Sequence, residues 1–282
     1  MSGVRSATAP LERALLCQPA AGDFAAARWR AAPDLDRLRR DHAAFAELLA
    51  SLGVDVTVLP ARAGDVDACF AYDPILVTAR GFVELRMRKP IRRKEPSHLA
   101  AALASMGVPQ VGALAGAAAA DGGDMLWLDE ATLAVARGYR TNADAHEQLA
   151  RLLAEEDATL ERFDLPHAGG PDELLHLLSV VSPVADDLAL VHEPLAPVTL
   201  LEALAERGVR RLPCHPDELD AQGCNVLAVR PGVVVAADTC PRTRRILERA
   251  GCEVHTYPAR ELNKGEGGPT CLTLPVRRAA PA

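Results

Sequence analysis

A cysteine, a histidine and several aspartates are the residues of this chain whose types and settings could do chemistry together. Cys271 lies in Lys264-Gly-Glu-Gly-Gly-Pro-Thr-Cys-Leu-Thr, where glycines and a proline predict an irregular loop feeding a short strand. Such a loop presents a thiol at a strand end and lets the backbone approach a ligand closely. A free thiol ionises near ~8.5, and a neighbouring cation lowers that value, so a cysteine beside a bound cation becomes a nucleophile. His176 sits in the apolar run Leu174-Leu-His-Leu-Leu-Ser179, which reads as strand. Packed among leucines it is an ordinary core histidine; facing a cleft it can protonate a leaving group and then activate water. Ser179 reads as a cap or a packed residue.

Asp121-Gly-Gly-Asp124 stands ahead of the apolar run from Met125. Two acids around flexible backbone make a common turn, yet they can also aim a carboxylate into a site while the strand stays regular. Asp73, in Phe70-Ala-Tyr-Asp-Pro, carries the same two readings. Asp-Pro marks a turn, and a carboxylate there can pair bidentately with a guanidinium. Arg92-Arg93-Lys94-Glu95 reads as a solvated charge run, and Arg140 as the flank of a helix capped by Thr141 or Asn142. Either arginine can instead hold a carboxylate. Cys214 and His215 are adjacent, but a zinc site there lacks further ligands at the usual spacing.

The elements that must position these residues follow a repeat of helix, glycine and strand. Asp34 to Leu52 is amphipathic, ends at Gly53 and leads into Val54 to Leu59. His98 to Met106 ends at Gly107 before Val108; Val198 to Arg207 ends at Gly208 before Val209 to Leu212; Pro241 to Ala250 ends at Gly251 before Cys252 to Tyr257. Asn142 to Glu156 has no terminal glycine but also precedes an apolar stretch, Ala158 to Leu165. Hairpins are predicted over Pro74 to Leu85, Met125 to Ala136 and Val226 to Ala237, turning near Gly81, at Asp129-Glu130 and at Pro231-Gly232. About five such units suggest a closed ring of modules, with an ordinary α/β sandwich as the alternative. No linker divides the chain, so residues 1–282 read as one domain, with a loose tail from Arg277.

Composition bounds the function. Of 282 residues, 49% are apolar and 24% charged, a globular balance, and the net charge of −7 carries no dense basic run. Nucleic acid and anionic membrane both need such a footprint, so neither is expected as a partner; a small cationic substrate suits the charge. Seven cysteines form no C-x-x-C pair, which points to a reduced, cytoplasmic setting rather than a zinc knuckle or redox motif. Met1 to Pro19 lacks the layout of a signal peptide, and no run approaches the ~20 apolar residues of a membrane span.

Read in order, Phe-x-x-Asp, Arg-Arg-Lys-Glu, Asp-Gly-Gly-Asp, Arg-Thr-Asn, His-Leu-x-Ser and a late Cys resemble the guanidine-modifying (pentein) superfamily. The nearest likeness is to dimethylarginine dimethylaminohydrolase, with arginine deiminase as a cousin. The resemblance implies a five-bladed α/β propeller, which agrees with the five units counted above, and a reaction without metal or organic cofactor. It implies Cys271 as nucleophile, His176 as acid and base, and Asp121 as the carboxylate that orients the histidine. It further implies Asp73 at the guanidinium, Asp67 at the substrate α-amine, Arg92 and Arg140 at the α-carboxylate, and Asp124 in support of the site. The implied activity is hydrolysis of an N-methylated arginine to citrulline and methylamine or dimethylamine. Two departures bear on the substrate. Tyr72 stands where the dimethylarginine hydrolases carry an acid, beside the distal nitrogens, and Leu178 breaks the deiminase pattern His-x-Asp. Deimination of arginine, amidino transfer and plain binding of an arginine-like ligand stay open, as does the oligomeric state, a homodimer among the options.

Overall fold

The computed structural model describes residues 3–171 and 175–280, so the start of the apolar run at Leu174 lies outside the described residues. The chain begins with strand β1 (Leu11–Cys17), helix α1 (Leu35–Ser51) and strand β2 (Asp55–Leu59). The Asp34 carboxylate accepts the Arg37 N–H at 3.0 Å and so caps α1. Leu38, Phe45 and Leu49 recur at helical spacing and face the interior. Gly53, at φ 92°, then takes the left-handed turn that glycine enters freely, and β2 returns parallel to β1.

Four further modules repeat this crossover behind an antiparallel hairpin. They are β3 (Ile75–Val77), β4 (Phe82–Glu84), α2 (Glu95–Ser105) and β5 (Gln110–Ala113); then β6 (Met125–Asp129), β7 (Thr132–Arg137), α3 (Ala143–Ala154) and β8 (Thr159–Asp164). Next come β9 (Val181–Ala185), β10 (Leu188–Val191), α4 (Val198–Glu206) and β11 (Arg210–Pro213), then β12 (Leu227–Arg230), β13 (Val233–Ala237), α5 (Pro241–Arg249) and β14 (Glu253–Tyr257). The chain ends in a single turn, α6 (Pro269–Leu272), and strand β15 (Leu274–Arg278). In each sheet the hairpin strands pair antiparallel and the strand after the helix pairs parallel to the second of them. The first sheet reaches the same order by borrowing β15, which pairs antiparallel to β1. Five three-stranded sheets form the five-bladed α/β propeller.

The first strands of successive modules line the axis, where β9 touches β12 and β15 touches β3. The helices lie outside and bridge modules: α1 packs on β2 and on β14, with the Phe45 and Tyr257 rings 4.7 Å apart. Both rings are fully buried, and losing one of that size costs about 3–5 kcal/mol.

Several expectations are corrected. Helix α2 starts at Glu95, earlier than His98, because Pro96 falls in its first turn, where a missing N–H does no harm. The hairpin β9–β10, turning at Asp186-Asp187, was not anticipated: β10 is buried along its whole length and so shows no alternation. The segment from Arg277 is no loose tail. Arg277 and Arg278 complete β15, and the buried Arg278 guanidinium donates to the carbonyls of Ala9 and Ala228, the latter at 2.9 Å. Burial pulls that guanidinium down to about 10, with Tyr72 opposing. Among the described residues no helix is long and apolar enough to cross a membrane.

Candidate active site

Just ahead of the axial strand of every module the chain leaves a polar residue. Asp73 precedes β3, Asp121 and Asp124 precede β6, His176 precedes β9, Asn225 precedes β12 and Cys271 precedes β15. The loops of Asp73, His176 and Cys271 converge on one small cavity, which Asp67, Arg92 and Arg140 also line.

Cys271 stands in the turn α6, not in an irregular loop, and Gly268 is that turn's cap. The thiol accepts a hydrogen bond from Asn225 Nδ2 at 3.3 Å. The same amide ties three loops together: its Oδ1 takes the Thr270 N–H at 3.0 Å, and its Nδ2 also reaches the Leu178 carbonyl at 3.3 Å. A Cβ on Gly268 would lie 2.6 Å from Asn225 Oδ1, so only glycine lets the two loops close. Burial pushes the thiol up to about 12 and the charge of Asp73 adds to it, with Gly268, Asn225 and Arg92 pulling back. Its surroundings therefore favour the protonated sulfur, and a cation seated beside it and Asp73 would favour the thiolate.

His176 opens a 3-10 turn rather than a strand. Its N–H donates to Ser179 Oγ at 3.1 Å, which gives Ser179 the capping role. The imidazole lies between two carboxylates, with Nδ1 3.9 Å from Asp73 Oδ1 and Nε2 3.4 Å from Asp121 Oδ2. Both are ion-pair distances, and Nε2 makes no hydrogen bond within the protein. A Cβ on Gly123 would fall 2.3 Å from His176 Nδ1, so glycine clears the space for the ring. Burial alone would lower the imidazole; Asp124, Asp73 and Asp121 outweigh it and raise it. Asp121 is fully buried behind the ring. Burial would raise its carboxyl, but His176, Arg140 and Arg92 hold it below its ordinary value. The Arg140 Nη1 donor meets Asp121 Oδ2 at 3.2 Å, and the Arg88 N–H reaches Oδ1 at 3.3 Å.

Asp124 does not line the cavity. It accepts Thr141 Oγ1 at 2.7 Å and the Leu177 N–H at 3.2 Å, and so anchors the histidine loop. Burial pushes it up to about 6, offset in part by His176 and Thr141.

Asp73 and Arg92 are already paired. Asp73 Oδ1 accepts the Gly123 N–H at 3.0 Å, and Oδ2 accepts Arg92 Nη1 at 2.5 Å. The remaining Arg92 donors reach Glu95 at 2.9 Å and the Phe70 carbonyl at 3.0 Å. Burial lifts Glu95 to about 7, with Arg92 pulling it back. The Arg92 guanidinium, expected at a substrate carboxylate, is thus buried within an ion network. Arg140, with 19% of its side chain exposed, is the more accessible of the two.

Tyr72 is in a different place from the one expected. Its hydroxyl donates to the Met125 carbonyl at 3.2 Å, and it lines a separate small cavity together with Arg278 rather than this one. Residues 71–74 form a turn, and within it Tyr72 and Asp73 line different cavities.

Two residues were missed. Asn225 sits in Gly223-Cys-Asn, which reads as a turn, but its position just before an axial strand is the signal that would have found it. Lys89, hidden in a basic stretch, sends Nζ to Asp67 Oδ2 at 2.5 Å and to the Ala27 carbonyl at 2.5 Å. The other Asp67 oxygen accepts Trp29 Nε1 at 2.8 Å. The six cysteines besides Cys271 are buried and unpaired. Among the described residues no group of three or more His, Cys, Asp or Glu is placed to hold a metal ion.

A family model described as arginine deiminase matches residues 199–278, from α4 to β15. Among curated proteins, the arginine deiminase of Listeria welshimeri is 27% identical over 248 residues, covering 74% of this chain and 61% of that protein. That of Mycobacterium avium is 32% identical over 186 residues, covering 56% and 46%. The chain therefore spans about three fifths or less of the curated relatives it matches. Among solved structures, dimethylarginine dimethylaminohydrolase of Pseudomonas aeruginosa, a mutant in complex with citrulline, aligns with a TM-score of 0.79 at 20% identity, covering 94% and 99%. The N-terminal domain of ArgZ, a cyanobacterial arginine dihydrolase solved as a mutant bound to substrate, aligns with a TM-score of 0.82 at 20% identity, covering 94% and 98%. Similarity in sequence to the arginine deiminases thus joins a ring with the pentein fold of dimethylarginine dimethylaminohydrolase and ArgZ.

Proposed function

We propose that the protein is a hydrolase that cleaves a C–N bond of a guanidinium through a covalent intermediate on Cys271, with residues 1–282 acting as one catalytic domain. The observation that carries this reading is a thiol and an imidazole on one small cavity with a carboxylate, Asp73, and with Asp121 behind the ring. Guanidinium is planar, delocalised and charged, so its carbon is a poor electrophile. Asp73 holds the cation, which places its carbon near the sulfur and converts part of the barrier into binding. The same cation stabilises the thiolate against the burial and carboxylate charge that keep the sulfur neutral, and the thiol proton passes to solvent.

The thiolate then bonds to the guanidinium carbon. His176, whose protonated form its carboxylates favour against burial, gives a proton to the departing nitrogen as the C–N bond breaks. An S-alkylthiouronium remains on Cys271. The neutral imidazole takes a proton from water, the oxygen bonds to the same carbon, and the sulfur leaves with its electron pair. The product is a ureido compound.

For the leaving group, the fold shared with dimethylarginine dimethylaminohydrolase supports methylamine or dimethylamine from an N-methylated arginine, with citrulline as the other product, while the ArgZ fold neighbour, an arginine dihydrolase, does not favour it. The sequence relatives favour a second reading, ammonia from an unsubstituted guanidinium. The test is to incubate the protein with arginine and its N-methylated forms and to measure ammonia, methylamines and ureido product, with Cys271→Ser as control. Ureido product from the native protein alone is expected. Equal release by the serine variant would refute the mechanism, and binding without turnover would leave a ligand-binding module.

A further inference from the structure

An arginine-like amino acid needs a place for its α-ammonium, and Asp67 is where the resemblance puts it. That place is taken. Lys89 Nζ bonds to Asp67 Oδ2 at 2.5 Å and to the Ala27 carbonyl at 2.5 Å, while Trp29 Nε1 holds Asp67 Oδ1 at 2.8 Å. A carboxylate with a backbone carbonyl is the set of acceptors an ammonium ligand asks for, and here the chain fills it with its own ammonium. The pair is built in: the Asp67 side chain is 4% exposed and that of Lys89 18%. Lysine has three N–H donors, of which two are engaged here, and both partners line the cavity that contains Cys271. What remains is one donor on a positive charge at the cavity lining. A second ammonium there would meet like charge, whereas a carboxylate would complete the set.

We infer that the substrate is a guanidino acid without an α-amine, an ω-guanidinoalkanoate whose carboxylate is received by Lys89 and Arg140. The inference rests on the guanidino-hydrolase reading and narrows its acid end. Lys89 acts as a specificity residue: its ammonium replaces the one an amino acid would bring, and excludes amino acids by repulsion.

The test compares kcat/KM for 4-guanidinobutanoate and 5-guanidinopentanoate with that for L-arginine and N-methyl-L-arginine, in the native protein and in Lys89→Ala. The native protein is expected to favour the amine-free acids by roughly tenfold or more, as contact between like charges requires. Lys89→Ala frees Asp67 and is expected to shift the ratio by at least about tenfold toward arginine. Calorimetry with Cys271→Ser reads the same preference as binding, whether or not turnover is fast. Preference of the native protein for arginine, or equal losses on all four compounds in Lys89→Ala, would overturn the inference and leave the hydrolase reading standing. Neither turnover nor binding of any guanidine would overturn both.

Discussion

Replacing Asn225 by Asp separates the thiol's electrostatics from the shape of its pocket. The new side chain has the same outline and keeps an oxygen for the Thr270 N–H, but it exchanges the donor that meets Cys271 Sγ at 3.3 Å for an oxygen. Ionised, it sets a second negative charge at that distance from the thiolate. At an effective dielectric of 20 the repulsion is about 5 kcal/mol, or between three and four units in the thiol pKa. The aspartate can relieve this by staying protonated, but that demands a similar displacement of its own titration. We expect kcat/KM at pH 8 to fall by about a thousandfold, with the alkaline limb of its pH profile moved upward. Alkylation of Cys271 by iodoacetamide, followed by mass spectrometry across pH, should report the same displacement. The exchange also turns an oxygen toward the Leu178 carbonyl, for about 1–3 kcal/mol of lost stability, so melting temperature must be recorded alongside. A variant within about threefold of native activity, with its alkylation profile unmoved, would refute the argument that Asn225 tunes the sulfur.

Gly123→Ala places a methyl 2.3 Å from His176 Nδ1 and 3.0 Å from Asp73 Oδ1, so kcat should drop by about a hundredfold while substrate binding changes less, read from steady-state kinetics. Glu95→Gln tests the buried ion network through pH. The folded carboxyl, raised to about 7, holds its proton more tightly than the unfolded one; stability is therefore fullest below the unfolded value and lost as pH rises toward 7. Chemical denaturation between pH 4.5 and 7.5 should show that loss, up to about 3 kcal/mol, in the native protein and not in the variant. Deleting the chain from Leu274 onward leaves β1 without its antiparallel partner, and circular dichroism should show no cooperative thermal unfolding.

Most of the architecture was legible because the helix ends carry a local signal. Gly53, Gly107, Gly208 and Gly251 all adopt positive φ. The module without a glycine makes the same left-handed turn at Asp157, φ 55°, which a pattern based on glycine alone passes over. Closure by β15 was not legible, since a strand that pairs with the other end of the chain leaves no mark near itself. The neighbourhood of Cys271, His176 and the aspartates came from residue types and order. What could not be read was direction: Tyr72 and Asp73 are adjacent yet face different cavities, and Lys89 and Asn225 matter through atoms brought from remote loops.

The borrowed strand couples timing to chemistry. During synthesis β1 leaves the ribosome before any other strand of the ring, and β15 after all of them, with the thiol at 271 a few residues ahead of it. A nascent chain that lacks this last stretch has four complete modules but neither the sulfur nor the latch that draws its ends together. Closure of the ring and the Cys271 thiol therefore arrive together, in one short stretch of chain.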